Sequence, residues 1–127
     1  MYRSIQSPVK YQVKKSWELL EQADSYIYDN ELNNAMLSLY NSCYIIARAL
    51  LAQSGIELKD HEDVKLTFHK KFTTKGMFKA DTERIYSRLY IYRREITENE
   101  IEYTDTSKIR EYQARTQVFL KEAAQLL

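Results

Sequence analysis

Residues that interrupt helices or form bridges are scarce in this sequence, which has two glycines, one proline and one cysteine among 127 residues. Folds rich in sheets need more glycine and proline at their turns. This composition therefore favours long helices joined by few connections. A single cysteine, Cys43, excludes an internal disulfide. Its apolar neighbours predict a buried thiol rather than a nucleophile.

Metal and cofactor sites are not indicated either. The two histidines, His61 and His69, are eight residues apart and belong to no Cys/His cluster, whereas a zinc site needs three or four converging ligands. We expect His61 at the start of a helix and His69 on a solvated face. A glycine-rich phosphate loop is absent because glycine is so rare, and we expect no bound cofactor.

Long apolar segments are also missing. No uninterrupted apolar run approaches the ~20 residues that span a bilayer. Residues 1–12 lack the apolar centre of a signal peptide. We therefore expect no membrane association and a cytoplasmic location.

The apolar residues that are present recur at helical spacing. They predict helices at about Ser7–Ile27, Leu32–Ser54 and Ala80–Thr97, and a last helix from Thr106 to Leu127. A shorter helix is predicted at residues 61–71. We predict one domain over residues 1–127 with an all-α fold, an antiparallel bundle of four long helices and one short helix. The inward residues predicted for the first helix are Val9, Val13, Trp17, Leu20 and Ile27.

The second predicted helix carries two apolar seams side by side. A face this wide is typical of a central helix with neighbours on two sides, and Leu39 and Leu50 are predicted to be core residues. The same apolar surplus suggests that the bundle associates through its helices. The two seams are Met36, Leu39, Cys43, Ile46, Leu50 and Leu37, Tyr40, Tyr44, Ala47, Leu51.

Charge is spread unevenly along the chain, although the net charge is only +1. Residues 65–94 hold nine Lys/Arg and two Asp/Glu, and residues 95–105 hold five acids and no base. Such a basic segment can attract a phosphate backbone or an acidic partner, or it can form an ordinary solvated helix face. Tyrosines beside arginines can stack on nucleobases or simply pack. The candidate binding residues are Arg84, Tyr86, Arg88, Tyr90, Arg93 and Arg94.

Three segments carry a resemblance to a known family. They are "NNAMLSLYNSCYIIARALL" at 33–51, "GIELKDHEDVKLTFHKKFTTKGMF" at 55–78 and "ADTERIYSRLYIYRREI" at 80–96. In sequence and order they resemble the HEPN-domain proteins, and in particular the small stand-alone members often encoded beside a minimal nucleotidyltransferase. The resemblance implies an all-α bundle that often dimerises.

The resemblance also implies an activity. Active HEPN proteins cleave RNA without a metal ion, through an Arg-x4–6-His motif late in the penultimate long helix. The arginine holds the phosphate and the histidine moves the proton of a 2′-hydroxyl. Arg93 and Arg94 occupy the place of the arginine. The place of the histidine falls within residues 98–101, which read Glu-Asn-Glu-Ile. Glu98 is the nearest substitute, but its carboxylate repels phosphate and ordinarily has a pKa of about 4.3.

The sequence thus supports three functions. The first is a non-catalytic interaction module that forms a homodimer, a complex with a nucleotidyltransferase, or both, in a toxin–antitoxin or defence setting. The second is a diverged ribonuclease that uses Arg93, Arg94 and Glu98. The third is an RNA- or nucleotide-binding protein that uses residues 65–94. Because no proton-transfer group follows the arginines along the chain, we expect little or no ribonuclease activity.

Overall fold

The structure is a computed structural model that describes residues 7–127. Within this range the chain is all-α and forms no strand, which confirms the predicted fold class and the order of the helices. The helices are α1 (Ser7–Tyr28), α2 (Leu32–Gln53), α3 (His61–Phe68), α4 (Ala80–Asn99) and α5 (Thr106–Ala124).

The short helix differs in detail from its prediction over residues 61–71. Regular α-helix ends at Phe68, and the chain continues through a wider π-helical turn, His69–Thr73. There the N–H of Thr74 donates to the carbonyl of His69, five residues back. Phe68 and Phe72 both point inward with ring centroids 5.2 Å apart, so aromatic packing holds this turn against the bundle.

Contacts at the helix ends give the directions of the long helices. Arg110 near the start of α5 pairs with Asp24 near the end of α1. Thr82 near the start of α4 donates to Glu122 near the end of α5, at 2.9 Å. Asn33 near the start of α2 bonds the segment that follows α4. The pairs α1/α5, α4/α5 and α2/α4 are therefore antiparallel, as in an up-and-down bundle.

The centre of the bundle is α2, which packs against each of the other four helices. By length and apolarity it could cross a membrane, with a mean hydropathy of 1.3 in its most apolar stretch, but 72% of that stretch is buried within the protein. Leu39, Cys43 and Leu50 are all buried, as predicted. On α1, Val9, Leu20 and Ile27 are buried as predicted, whereas Val13 and Trp17 are only half-buried.

Much of the tyrosine content belongs to the core. Tyr40, Tyr86 and Tyr112 are fully buried. The ring of Tyr86 lies 5.6 Å from that of Phe119 and 6.1 Å from that of Tyr40, measured between centroids. Aromatic pairs at such distances stabilise a core beyond their buried area. Packing therefore explains these three tyrosines without a ligand.

Leu39→Ala and Leu50→Ala should each lower the free energy of unfolding by about 2–5 kcal/mol, because each leaves a cavity in a closed core. Thermal or urea unfolding monitored by circular dichroism measures the loss. Leu66→Ala is the matched control, since Leu66 is 46% exposed. Equal unfolding midpoints for all three variants and the wild type would contradict this assignment of the core.

Candidate functional site

The segment between α2 and α3 runs back alongside α2. Gly55 follows the end of α2 with a φ of +84°, a left-handed conformation that suits glycine. Further along, the Nε of Arg48 donates to the carbonyl of Leu58 at 3.0 Å, and the hydroxyl of Tyr44 donates to the carbonyl of Lys59. Two side chains of α2 thus hold the backbone of this segment. As a result, α3 begins beside the middle of α2 rather than at its end.

His61, the first residue of α3, is fixed by the two tyrosines of α2. Its ring stacks on that of Tyr44, with centroids 4.0 Å apart and planes 8° from parallel. Its Nδ1 lies 2.7 Å from the hydroxyl oxygen of Tyr40. Burial raises the pKa of Tyr40, so this hydroxyl stays protonated. The predicted position of His61 at a helix start is confirmed, and the structure adds its anchoring to α2.

A cleft of about 330 Å³ opens between the start of α3 and the second half of α4. It brings together His61 from α3 and Tyr90, Arg93 and Arg94 from α4. Burial lowers the pKa of His61, and the positive charge of Arg93 lowers it further. The lining residues are Asp60, His61, Glu62, Tyr90, Arg93, Arg94 and Glu98.

The two arginines of the cleft have different partners. Arg94 faces Glu98, with Nε and Oε1 3.7 Å apart. Arg93 lies over the face of Tyr40, its Cζ 5.4 Å from the ring centroid, and forms no ion pair within residues 7–127. Outside the lining of the cleft, the Nζ of Lys65 lies over the ring of Tyr90, 5.4 Å from the ring centroid. Arg93 is thus a half-buried guanidinium at the cleft that forms no ion pair with a carboxylate of residues 7–127.

The structure divides the six predicted binding residues among three environments. Tyr90, Arg93 and Arg94 line the cleft, as does Glu98, the predicted substitute base. Tyr86 is fully buried, so the prediction that it contacts a ligand is wrong for this structure. The reason is that its ring fills space between Tyr40, Phe68 and Phe119.

Arg84 and Arg88 lie away from the cleft. Arg84 pairs with Asp81 at 2.8 Å on an exposed face. Arg88 lies beside Tyr92 and Tyr112, towards α5, and hydrogen bonding to Tyr112 and Tyr92 raises its pKa. An α-helix turns by about 100° per residue, so these two arginines and Arg93 fall on different sides of α4. The predicted basic segment is therefore not a single surface.

The residue that the sequence analysis missed is His61 as a neighbour of Arg93. The Arg-x4–6-His spacing would place a histidine near the end of α4. In the structure the histidine beside Arg93 is His61, the first residue of α3. The expectation that no proton-transfer group follows the arginines holds along the chain, but His61 reaches their cleft from α3. The available signal was the segment at residues 55–78, in which His61 already belonged to the resemblance.

The second histidine has a different setting. His69 is exposed at 54% of its side chain, in keeping with the predicted solvated face, but its Nδ1 lies 2.6 Å from Oε1 of Glu83. The Glu83 side chain is almost entirely buried. His69 thus supplies the partner that a buried carboxylate needs, and it ties the π-helical turn to α4. Within residues 7–127, no group of three or more His, Cys, Asp or Glu residues could hold a metal ion.

The fold and the cleft together define a helical bundle with an anchored histidine and an uncompensated arginine at one side. No family model matches the sequence. A UPF0332 protein of Thermotoga maritima is 19% identical over 119 residues, covering 94% of this chain and 90% of that protein. The similarity therefore extends along nearly the whole bundle, and the name of that relative states no activity.

His61 should titrate below its ordinary pKa of about 6.5, because burial and the charge of Arg93 both disfavour the imidazolium. NMR titration of the imidazole signals measures this value. Arg93→Ala should raise the pKa of His61, whereas Arg84→Ala, the matched control on another side of α4, should leave it unchanged. An equal change in the pKa of His61 for both variants would contradict an effect of Arg93 on His61.

Proposed function

We propose that this protein is a HEPN-like helical module that binds single-stranded RNA through the cleft between α3 and α4. The observation that carries the proposal is Arg93, a guanidinium at the cleft with no carboxylate partner in residues 7–127. Guanidinium matches two phosphate oxygens with two parallel N–H donors. An RNA phosphate is the ligand whose chemistry fits this group.

Support for the HEPN-like assignment comes from the segment at residues 55–78. Its two glycines, Gly55 and Gly76, both adopt positive φ, at 84° and 75°. Phe68 and Phe72 are buried, and His61 lines the cleft. Each residue on which the resemblance depends thus has a physical task in this fold.

The acidic residues of the cleft shape the expected binding. Asp60, Glu62 and Glu98 surround the arginines, so the cleft is not a strongly positive surface. Glu98 already screens Arg94. We therefore propose contact with few phosphates, for which the salt dependence of affinity is shallow, about 0.7 per phosphate in a log–log plot for a single strand.

A second cleft of the described residues does not compete for this role. It has a volume of about 390 Å³ and lies between the start of α2 and residues 102–104. Glu31 and Glu102 are its only charged lining groups, so it repels phosphate. This cleft is therefore not a candidate for RNA.

Binding to a protein partner is compatible with RNA binding, and we propose it separately. The predicted seams of α2 no longer support self-association, because apart from the half-buried Leu37 their residues are buried in the protein's own core. What favours a protein partner is exposed aromatic surface on α1, where Tyr11 and Tyr28 are 69% and 88% exposed. The homodimer, the nucleotidyltransferase partner, the toxin–antitoxin or defence setting and the cytoplasmic location remain predictions from the sequence.

Arg93→Ala should weaken RNA binding about tenfold, the effect of losing a charge-assisted hydrogen bond worth ~1.5 kcal/mol. Fluorescence anisotropy with a labelled single-stranded RNA of mixed sequence, methylated at each 2′-oxygen so that it stays intact, measures the affinity. Arg84→Ala is the control and should bind like the wild type. Equal losses for both variants, or no binding by the wild type at low salt, would reject the cleft as an RNA site.

Self-association should be visible in light scattering over a range of concentrations up to high micromolar. If α1 forms the contact, replacing Tyr28 by serine should shift the protein towards the monomer without lowering its melting temperature, since this ring is almost fully exposed. A strict monomer in the wild type would contradict a homodimer.

A further inference from the structure

A small cleft lies where the loop before α4 meets the last turns of α5. Its volume is about 360 Å³, and two of its lining residues, Met77 and Val118, are each 52% exposed. Lys79 and Lys121 also line it. We call it the lysine cleft. It combines exposed apolar surface with two cations.

The positive charge of the lysine cleft has no partner in the protein. Glu122 is the one carboxylate of the lining, and its Oε2 and Oε1 accept from the backbone N–H of Lys79 at 2.6 Å and the hydroxyl of Thr82 at 2.9 Å. Neither Lys79 nor Lys121 forms an ion pair within residues 7–127. The adjoining residues 69–79 hold four lysines and no acid. The lysine cleft therefore favours an acidic partner.

The other end of α4 carries the complementary features. Ile101 is 42% exposed, and it stands between Glu100 and Glu102 in the sequence. Both glutamates are exposed, and in the part of the chain that the structure describes neither forms an ion pair. We call residues 100–102 the acidic tip. It combines one exposed apolar side chain with two anions.

Hydrogen bonds hold the backbone of the acidic tip in place. Glu100 has a φ of +53°, so the chain turns where α4 ends. The side chain of Asn33 then bonds the backbone twice. Its Nδ2 donates to the carbonyl of Ile101 at 2.8 Å, and its Oδ1 accepts from the N–H of Tyr103 at 3.0 Å. Because this backbone is already ordered, a partner that binds the tip does not have to order it.

We propose that the acidic tip of one molecule docks in the lysine cleft of a second copy of this chain. Ile101 packs against the apolar lining of the cleft, and the two glutamates of the tip pair with its two lysines. Charge complementarity is the argument for this occupant. Each surface has the charge and the exposed apolar group that the other one needs.

The two surfaces cannot meet within one molecule. Lys79 precedes α4 and Glu100 follows it, and a helix of 20 residues is about 30 Å long. Since the contact joins two different surfaces, every assembly that is not a closed ring keeps a free tip and a free cleft. Association therefore continues head to tail as an open chain or a ring. It differs from a two-fold homodimer, and it does not depend on RNA binding.

The contact should be weak and sensitive to salt. One tip in one small cleft buries little surface, and interfaces below about 1,200 Å² belong to weak or transient encounters. Charges on exposed surfaces are screened over about 10 Å at 0.1 M ionic strength. We therefore expect association at high micromolar concentration in low salt, and its loss in high salt.

Sedimentation velocity over a range of concentrations in low salt, on protein freed of nucleic acid by ribonuclease treatment, tests the contact. The average mass of the wild type should rise past that of a dimer. Lys79→Glu with Lys121→Glu, and separately Glu100→Lys with Glu102→Lys, should each weaken association at least tenfold, because like charges then face each other. The variant with all four substitutions should associate again, since its reversed charges are complementary.

The apolar half of the contact has its own test. Ile101→Ser should weaken association while every charge stays in place. Ile91→Ser is the matched control and should associate like the wild type, because Ile91 is exposed on α4 between the two ends. All the substituted residues are exposed, so each variant should keep the melting temperature of the wild type.

A wild type that stays monomeric at every concentration in low salt would overturn the proposal. Association that Tyr28→Ser abolishes and the charge reversals leave intact would also overturn it and place the contact on α1. A monomeric wild type whose RNA binding is lost in Lys79→Glu with Lys121→Glu would assign the lysine cleft to RNA instead. Failure of the variant with four substitutions to associate, at an unchanged melting temperature, would reject the pairing of tip and cleft.

Discussion

Burial of α2 is the constraint on which the rest of this structure depends. The helix is apolar around most of its circumference, and a single neighbour cannot cover it. Leu39 and Ile46 are fully buried, and four other helices pack on α2. The bundle is arranged so that each of its long helices covers part of this surface, and α3 closes a remaining side. Exposure of this apolar surface to water would cost roughly 25 cal/mol per Å².

The polar atoms at the edge of that buried surface create the site. Tyr40, Tyr44 and Arg48 belong to the central helix, yet their hydroxyl and guanidinium groups reach its rim. There they bond the backbone of Leu58 and Lys59 and the ring of His61. Buried polar atoms need partners, and the segment before α3 supplies them. The same hydrogen bonds that satisfy the core also place a histidine over α4.

Charges of both signs line the cleft, with three carboxylates and two arginines. Arg94 is screened by Glu98, while Arg93 rests on an aromatic face. An aromatic face attracts a guanidinium but leaves its N–H donors free. That arrangement keeps one cation available in surroundings that hold one other cation, Arg94, and three carboxylates. It favours recognition of a single phosphate over broad attraction of a polyanion.

The periodicity of apolar residues by itself determined the helices, their order, and the burial of Leu39, Cys43 and Leu50, because helix formation and core burial are read from local spacing. The left-handed φ of Gly55 after α2 suits its residue type, since glycine adopts positive φ without strain. Only the tertiary structure decided which charged and aromatic residues of α4 meet a ligand. Tyr86 and Tyr90 are one turn apart and look alike in sequence, but one fills the core and the other lines the cleft. No spacing rule along the chain could predict that His61 is a neighbour of Arg93. His61 reaches the cleft because the segment before α3 turns back along α2, and packing between helices distant in sequence sets that path.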